Sequence, residues 1–152
     1  MSFNHHNLPS DPPTISVVIP THNRETLLEE TLARLFSYEP GNPAFEVIVV
    51  NDGDSFSRPL AGLEGCRVVQ NIGRGAASAR NLGASLAKSP LLLFLDDDML
   101  LSDGGLRRHL QIHAEFPGIA LSGIWQYNPE VELMLGTSCF GRYKLMNDYR
   151  TM

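Results

Sequence analysis

The chain has 152 residues, of which 43% are hydrophobic and 19% are charged, and its formal net charge is −5. This composition fits one globular domain of ordinary size and excludes a wholly disordered chain. The acidic balance argues against a nucleic-acid partner, because non-specific binding to nucleic acids needs a basic surface. No segment approaches the roughly 18 apolar residues of a transmembrane span. Residues 1–13 lack the pattern of a secretory signal and are interpreted as a flexible leader.

Hydrophobic patterning predicts strands and helices that alternate along the chain. Short, β-branched and continuously apolar segments are typical of strands buried on both faces. The predicted strands are residues 14–20, 45–50, 67–70, 91–95 and 119–124. Apolar residues at helical spacing predict helices over residues 24–37 and 76–88. A third helix is predicted after Ser102 or Asp103, one of which is expected to cap it, and residues 125–152 are expected to be mostly loop.

This alternation favours a three-layer α/β/α sandwich around a mainly parallel sheet, formed by a single domain over residues 14–152. Ligands of such sheets bind where the carboxyl ends of the strands meet. A polar cluster follows each of the first four predicted strands. The clusters are Thr21-His22-Asn23, Asn51–Asp54, Asn71–Gly75 and Asp96–Asp98. The sequence therefore predicts one ligand site along this rim of the sheet.

Three adjacent carboxylates, Asp96, Asp97 and Asp98, follow the fourth predicted strand directly. Like charges this close repel one another, and a bound cation lowers that cost. Alternate residues of an extended chain point to the same side, so Asp96 and Asp98 are predicted to share a hard divalent cation, Mg²⁺ or Mn²⁺, with substrate phosphates. The alternative is a solvated acidic turn that caps the next helix.

The glycine-rich turn at residues 71–75 leads into a helix, where free backbone N–H groups suit a phosphate. Arg74 and Arg80 add guanidinium groups shaped for phosphate oxygens, although a purely structural turn is the alternative for the glycines. Asp52 is a candidate acceptor for a ribose or a nucleobase, and an Asx turn with Gly53 is the alternative. A dinucleotide-binding motif is excluded because no G-x-G-x-x-G follows the first strand.

Other candidate sites have weaker support. His109 and His113 are spaced four apart on the third helix, but the sequence between them lacks the H-E-x-x-H pattern of a zinc site. Cys66 and Cys139 are expected to be buried, reduced thiols, with one disulfide as the alternative. A response-regulator site is excluded because its key aspartate follows the first strand, whereas the acidic cluster here follows the fourth.

Three segments together resemble the nucleotide-sugar-binding half of glycosyltransferase family 2, which has the GT-A fold. They read SVVIPTHNRETLLEETLARL, FEVIVVNDGD and QNIGRGAASARNLGASLAKSPLLLFLDDDM. The resemblance covers residues 14 to about 101. It implies a metal-dependent, inverting transfer of a sugar from a nucleotide-diphospho-sugar, UDP- or GDP-linked, to a saccharide or other hydroxyl acceptor.

The resemblance also implies site residues, position by position. Those implied for nucleotide-sugar binding are Pro20, Thr21, Asn23, Arg24, Asp52, Gly73, Arg80, Asp96 and Asp97, with Asp54 and Asn81 nearby. Asp96 and Asp98 match the D-x-D motif that holds the metal. The catalytic base of the family often belongs to a Glu-Asp pair in an acceptor-binding half. This sequence has no such pair, Glu130 and Glu132 do not match it, and no base is assigned.

The chain therefore resembles a donor-binding half that is truncated on its C-terminal side, with the acceptor-binding half missing. A nucleotide-binding module or an inactive remnant without transferase activity is the alternative function. A partner subunit, or a second copy in a homo-oligomer, is a further way to supply the missing half. The expected location is the cytoplasm, with the inner face of the membrane as the alternative.

Overall fold

The computed structural model describes residues 14–37, 43–123 and 133. Within these ranges, strands and helices alternate as the hydrophobic pattern predicts. The strands are β1 (Ile15–Thr21), β2 (Phe45–Asn51), β3 (Arg67–Gln70) and β4 (Leu92–Phe94). The helices are α1 (Glu25–Leu35), α2 (Gly75–Leu86) and α3 (Gly105–Glu115), and a 3₁₀ turn at Leu63–Gly65 precedes β3.

The backbone divides into two compact units, residues 1–117 and residues 118–152. All of the strands and helices named above belong to the first unit. Only residues 118–123 and 133 of the second unit are described. The leader over residues 1–13 and the single domain over residues 14–152 both stay predictions.

The four strands form one parallel sheet in the order β3-β2-β1-β4. Strands β2 and β3 are added in turn on one side of β1, and β4 then pairs with the other side of β1. Open α/β sheets bind ligands where the strand order reverses in this way, outside the carboxyl ends of the strands. The loops after β1 and β4 therefore flank the expected ligand crevice.

Helices cover both faces of this sheet, so the predicted three-layer α/β/α arrangement is confirmed. Val17 of β1 faces a core that includes Leu28 of α1 and Leu106 of α3. Successive side chains of a strand point to opposite faces, and Val18 accordingly packs with Ala79 of α2 on the other side. Burial on both faces explains why the central strands are continuously apolar.

Helix α2 approaches the sheet closely at Gly83, which is buried. A Cβ atom at this position would overlap Cγ1 of Val18 and would come within 3.2 Å of Cγ2 of Val50. A side chain of any size would therefore push the helix away from the strands. The close contact helps to fix the position of α2 on β1 and β2.

The predicted fifth strand is wrong for the residues that the structure describes. Residues 119–123 form no strand, and Ile124 lies outside the described residues. The segment begins after Gly118, which has a φ of +81°, and Ile119 is 42% exposed. A short apolar run predicts a buried strand only where other elements cover it, and residues 119–123 are exposed.

The predicted side-chain cap of α3 is also wrong. Gly104 occupies the N-cap position with a φ of +68°, and no side chain caps the helix. The Ser102 carbonyl oxygen accepts the Gly105 N–H, whereas the Asp103 carboxylate pairs with the Arg34 guanidinium. Glycine adopts this left-handed conformation without steric cost, so the turn forms without a side-chain cap.

Candidate functional site

The four polar clusters lie together at the carboxyl ends of the four strands. Thr21 is the last residue of β1 and Asn51 is the last residue of β2. The Asp52 N–H donates to the Thr21 carbonyl oxygen over 2.8 Å, and the Asn71 N–H donates to the Asn51 carbonyl oxygen over 2.8 Å. Backbone hydrogen bonds thus connect the loops that follow the first three strands.

The loop after β4 is connected to the loop after β1 through Asp97, which is 4% exposed. Its Oδ2 accepts a hydrogen bond of 2.7 Å from Oγ1 of Thr21, and its Oδ1 lies 3.3 Å from Nη1 of Arg24. The Asp97 carbonyl oxygen accepts a further bond of 2.9 Å from Oγ1 of Thr31 in α1. These contacts connect the two segments on either side of the strand-order reversal.

The two neighbouring aspartates are exposed and also bind arginines. Asp96 pairs with Nη2 of Arg80, and Oδ2 of Asp98 accepts a bond of 3.0 Å from Nη1 of Arg24. The side chains of Asp96 and Asp98 are 53% and 45% exposed, on either side of the buried Asp97. The guanidinium groups offset the repulsion among the three carboxylates.

The donor chemistry of this cluster fits a hard divalent cation. Exposed carboxylates at Asp96 and Asp98 are oxygen ligands of the kind that Mg²⁺ and Mn²⁺ prefer. In the part of the chain that the structure describes, no group of three or more His, Cys, Asp or Glu side chains gathers at one point. Mg²⁺ sites often use only one or two carboxylates and take their other ligands from substrate phosphates and water.

Asp52 binds the start of α2. Its Oδ1 accepts a hydrogen bond of 2.5 Å from Nδ2 of Asn71, and its Oδ2 accepts one of 2.9 Å from the Gly75 N–H. Nδ1 of His22 lies 2.9 Å from the Asp52 carbonyl oxygen, which only accepts, so this nitrogen donates. Each carboxylate oxygen has a second lone-pair site. The side chain, 15% exposed, can therefore still accept an N–H or O–H from a ligand.

Asn71 organises the glycine-rich turn and was not singled out from the sequence. This residue is 8% exposed, and its Oδ1 accepts the Gly73 N–H at 3.2 Å and Oγ of Ser78 at 3.1 Å. A Cβ at Gly73 would overlap Oγ of Ser78, so the tight turn requires glycine there. The sequence signal was present, since an asparagine two residues before a glycine is typical of an Asx turn.

Side-chain contacts also join the loops after β1 and β2. Asn23 has a φ of +54°, a left-handed conformation that asparagine adopts more readily than most residues. Its Oδ1 accepts the Asp54 N–H at 2.9 Å, and its Nδ2 lies 3.4 Å from Oδ2 of Asp54. A Cβ at Gly53 would come within 2.8 Å of Cγ of Asn23, so this contact leaves no space for a side chain.

The remaining predicted residues lie on or beside this rim. Pro20 is buried inside β1, Arg74 is exposed at the N-cap of α2, and Asn81 is exposed on the same helix. Gly73 lies in the turn before α2, and Arg80 reaches Asp96 from that helix. The structure therefore gathers the predicted donor-binding residues into one region. Whether they bind a donor stays a prediction.

The other candidate sites lie outside this region. His109 and His113 stack on α3 with ring centroids 6.3 Å apart, and burial, with a smaller effect of His113, lowers the pKa of His109. Cys66 is a free thiol, and burial raises its pKa to about 12. Cys139, Glu130 and Glu132 lie outside the described residues. None of the helices that the structure describes has the length and apolarity to cross a membrane.

Comparison with known sequences identifies the family of the chain. The family model described as Glycosyl transferase family 2 matches residues 16–151. Validoxylamine A glucosyltransferase of Streptomyces hygroscopicus subsp. limoneus is 38% identical over 109 residues, which cover 67% of this chain and 24% of that protein. Chondroitin synthase of Escherichia coli is 31% identical over 120 residues, which cover 74% of this chain and 17% of that protein. The chain thus matches only a minor part of the length of these relatives.

Comparison with solved structures confirms the fold. S. aureus TarS 1–349 superimposes with a TM-score of 0.55 and 23% identity over 73% of this chain and 39% of that chain. The complex of TarS 1–349 with UDP-GlcNAc gives a TM-score of 0.52 at 21% identity, over 73% of this chain and 37% of that chain. These neighbours are glycosyltransferases of the GT-A type, as the sequence resemblance implied. By the family model that matches it, the chain belongs to glycosyltransferase family 2.

Proposed function

We propose that this chain binds a nucleotide-diphospho-sugar and a divalent cation and acts in metal-dependent glycosyl transfer. The observation that carries the proposal is the pair of exposed carboxylates, Asp96 and Asp98, placed with Arg24 and Arg80 where the strand order reverses. Acidic side chains alone would repel a diphosphate. A cation held by these carboxylates, together with the two arginines, can bind its phosphate oxygens. The 38% identity to a protein named as a glucosyltransferase supports the reaction class.

Asp96 and Asp98 would bind Mg²⁺ or Mn²⁺, which supplies Lewis-acid stabilisation of the charge that develops on the leaving diphosphate. Arg80 is close enough to Asp96 to exchange between that carboxylate and a phosphate oxygen. Backbone N–H groups at the Gly73–Gly75 turn add donors at the start of α2. These groups bind and neutralise the diphosphate while the sugar is transferred.

The loops after β1 and β2 would bind the nucleoside. Asp52 keeps free lone pairs on a partly exposed carboxylate, which suits an imide N–H of a base or a ribose hydroxyl. Asn23 shapes the neighbouring loop, and Thr21 and Pro20 support it from β1. TarS, which shares the fold, has been solved with UDP-GlcNAc. We therefore take UDP as the first nucleotide to test and GDP as the second.

The acceptor would be a saccharide or another hydroxyl compound, and the transfer would invert the anomeric carbon. No catalytic base is assigned among the described residues. A nucleotide-binding module without transferase activity is the second candidate, since the groups at the rim account for nucleotide and metal binding alone. Another subunit or a second copy is the alternative source of an acceptor site. The cytoplasmic location stays a prediction.

Calorimetric titration of the purified chain with UDP and with GDP, each with and without Mn²⁺, tests the donor site. We expect Mn²⁺ to tighten nucleotide binding. Asp98→Ala should lower the nucleotide affinity roughly 10-fold when Mn²⁺ is present and leave it unchanged when Mn²⁺ is absent. Asp103→Ala is the matched control, because Asp103 is also exposed and paired with an arginine but lies beyond the rim. Failure of both nucleotides to bind under either condition would overturn the proposal.

Incubation of the same chain with nucleotide sugars separates the two candidate functions. Sugar transfer, or slow hydrolysis of the donor, supports the transferase. Tight and metal-dependent nucleotide binding without either reaction supports the binding module.

A further inference from the structure

Asp97 differs from the two aspartates that flank it. The side chain of Asp97 is 6% exposed, whereas those of Asp98 and Asp96 are 45% and 53% exposed. A buried carboxylate is costly unless it is paired or hydrogen-bonded. Both Asp97 oxygens meet this condition, because Oδ2 accepts from Thr21 and Oδ1 faces Arg24.

One nitrogen of Arg24 is shared between two carboxylates. Nη1 lies 3.3 Å from Oδ1 of Asp97 and 3.0 Å from Oδ2 of Asp98. Arg24 is also the N-cap residue of α1, so its backbone position is fixed beside the loop. The guanidinium therefore divides its interaction between a buried carboxylate and an exposed one.

This sharing affects any cation that binds Asp98. A divalent cation and Arg24 compete for the Asp98 carboxylate, because both are positively charged and both bind at its Oδ2. With Asp97 present, the guanidinium keeps a second, buried anionic partner when it gives up Asp98. Without the Asp97 charge, Asp98 would be the stronger remaining partner, and Arg24 would compete more effectively with the cation.

We propose that Asp97 is a positioning residue that retains Arg24 and so makes the Asp98 carboxylate available to the divalent cation. This inference rests on the proposed function, since it needs a cation at Asp98. It assigns Asp97 a role through Arg24 rather than through contact with the donor.

The test is a titration of the purified chain with Mn²⁺ without nucleotide, so that any contact of Arg24 with a diphosphate plays no part, and free Mn²⁺ is followed by electron paramagnetic resonance. Asp97→Asn preserves the shape of the side chain and removes its charge. We expect this variant to bind Mn²⁺ about 10-fold more weakly, the size of effect that a charged hydrogen bond supplies. Adding Arg24→Gln to Asp97→Asn removes the competitor and is expected to restore the affinity. Arg108→Gln, which neutralises an exposed arginine on α3, is the matched control.

Rescue by the second substitution separates positioning from a merely structural role. If Asp97→Asn binds Mn²⁺ like the wild type, or if Arg24→Gln does not restore the affinity, the inference is overturned while the proposed function stands. If the wild-type chain binds no Mn²⁺ with UDP or without it, the proposed metal site fails and the inference fails with it.

A second measurement covers the case in which Asp97→Asn does not fold. The Arg24 guanidinium signals of the wild-type chain are then followed by NMR while Mg²⁺ and UDP are added. A signal that shifts yet stays protected from exchange supports retention by Asp97, and loss of protection contradicts it.

Discussion

Asn71 binds Asp52 through a hydrogen bond of 2.5 Å, and this bond joins the residues that follow two neighbouring strands. Asn71 comes directly after β3, and Asp52 comes directly after β2. The Asn71 side chain also accepts from Gly73 and Ser78, so it uses both its donor and its acceptor. An amide is therefore required at this position, because a carboxylate would accept at both ends.

Replacing Asn71 by Asp tests this requirement. The new carboxylate would face Asp52 without a donor, and repulsion would open the glycine-rich turn. We expect a loss of about 1 to 3 kcal/mol in the free energy of unfolding, the cost of leaving a buried polar group unsatisfied. The affinity for UDP should fall as well, because the turn carries the backbone N–H groups that are proposed to bind the diphosphate at the start of α2.

Urea unfolding and calorimetry measure the two effects of Asn71→Asp. Gln111→Glu makes the same change from amide to carboxylate at an exposed position of α3 and should leave both close to the wild type. An Asn71→Asp variant with the stability and UDP affinity of the wild type would show that the amide is dispensable.

The sequence predicted the elements of the fold better than the details of the site. Apolar runs such as residues 14–20 mark buried strands, and burial on both faces is what makes such runs continuous. Three consecutive aspartates look equivalent in the sequence. Which of them is buried depends on the position of β4 relative to Thr21 and Arg24, which only the folded chain defines. The same holds for Asn71, whose partners come from β2 and α2.

Gly53→Ala should disturb the contact between Asn23, in the loop after β1, and the loop after β2. A Cβ at this position would meet the Asn23 side chain, with Cγ only 2.8 Å away. Overpacking of this kind typically costs about 1 to 3 kcal/mol. We expect weaker UDP binding and a lower melting temperature, measured by calorimetry and by thermal unfolding.

A rescue variant makes the Gly53 prediction specific. Asn23→Gly removes the obstructing side chain and still tolerates the φ of +54°. The Asn23 backbone nitrogen would stay 2.9 Å from the new Cβ, so the double variant should recover only part of the stability lost in Gly53→Ala. Gly123→Ala is the control, because a Cβ there meets no atom within 4 Å. Equal stability of Gly53→Ala and the control would rule out the steric contact.

Gly83→Ala should destabilise the packing of α2 on the sheet. Alanine favours a helix over glycine by about 1 kcal/mol, but the added Cβ would overlap Cγ1 of Val18. We expect overpacking to exceed the gain in helix propensity, with a net loss of about 1 to 2 kcal/mol on urea unfolding. Ser85→Ala, an exposed site on the same helix, is the control.

A double-mutant cycle with Val18→Ala isolates the Gly83 contact. Val18→Ala removes the atom that the new Cβ would overlap, so Gly83→Ala should cost less in this background than in the wild type. Equal costs in the two backgrounds would place the strain elsewhere.

The ion pair between Glu29 and Arg58 predicts a pH-dependent stability. The two terminal guanidinium nitrogens of Arg58, Nη1 and Nη2, donate to the Glu29 carboxylate over 2.7 Å and 2.6 Å, and the Ala61 N–H donates over 2.9 Å. The hydrogen bonds from Arg58, followed by that from Ala61, lower the pKa of Glu29 from 4.5 to about 2. These contacts attach the segment between β2 and β3 to helix α1.

A lowered pKa in the folded state means that the ionised Glu29 stabilises the fold. Its contribution is fully present above the ordinary value of 4.5 and is lost as the pH falls towards about 2. Glu29→Gln should therefore be less stable than the wild type near neutral pH, and the difference should shrink with acidification. Urea unfolding at about pH 6.5 and about pH 3 measures this. Glu30→Gln neutralises the adjacent, exposed glutamate as the control. A stability difference between Glu29→Gln and the wild type that stays constant over this range would show that the ion pair is not its source.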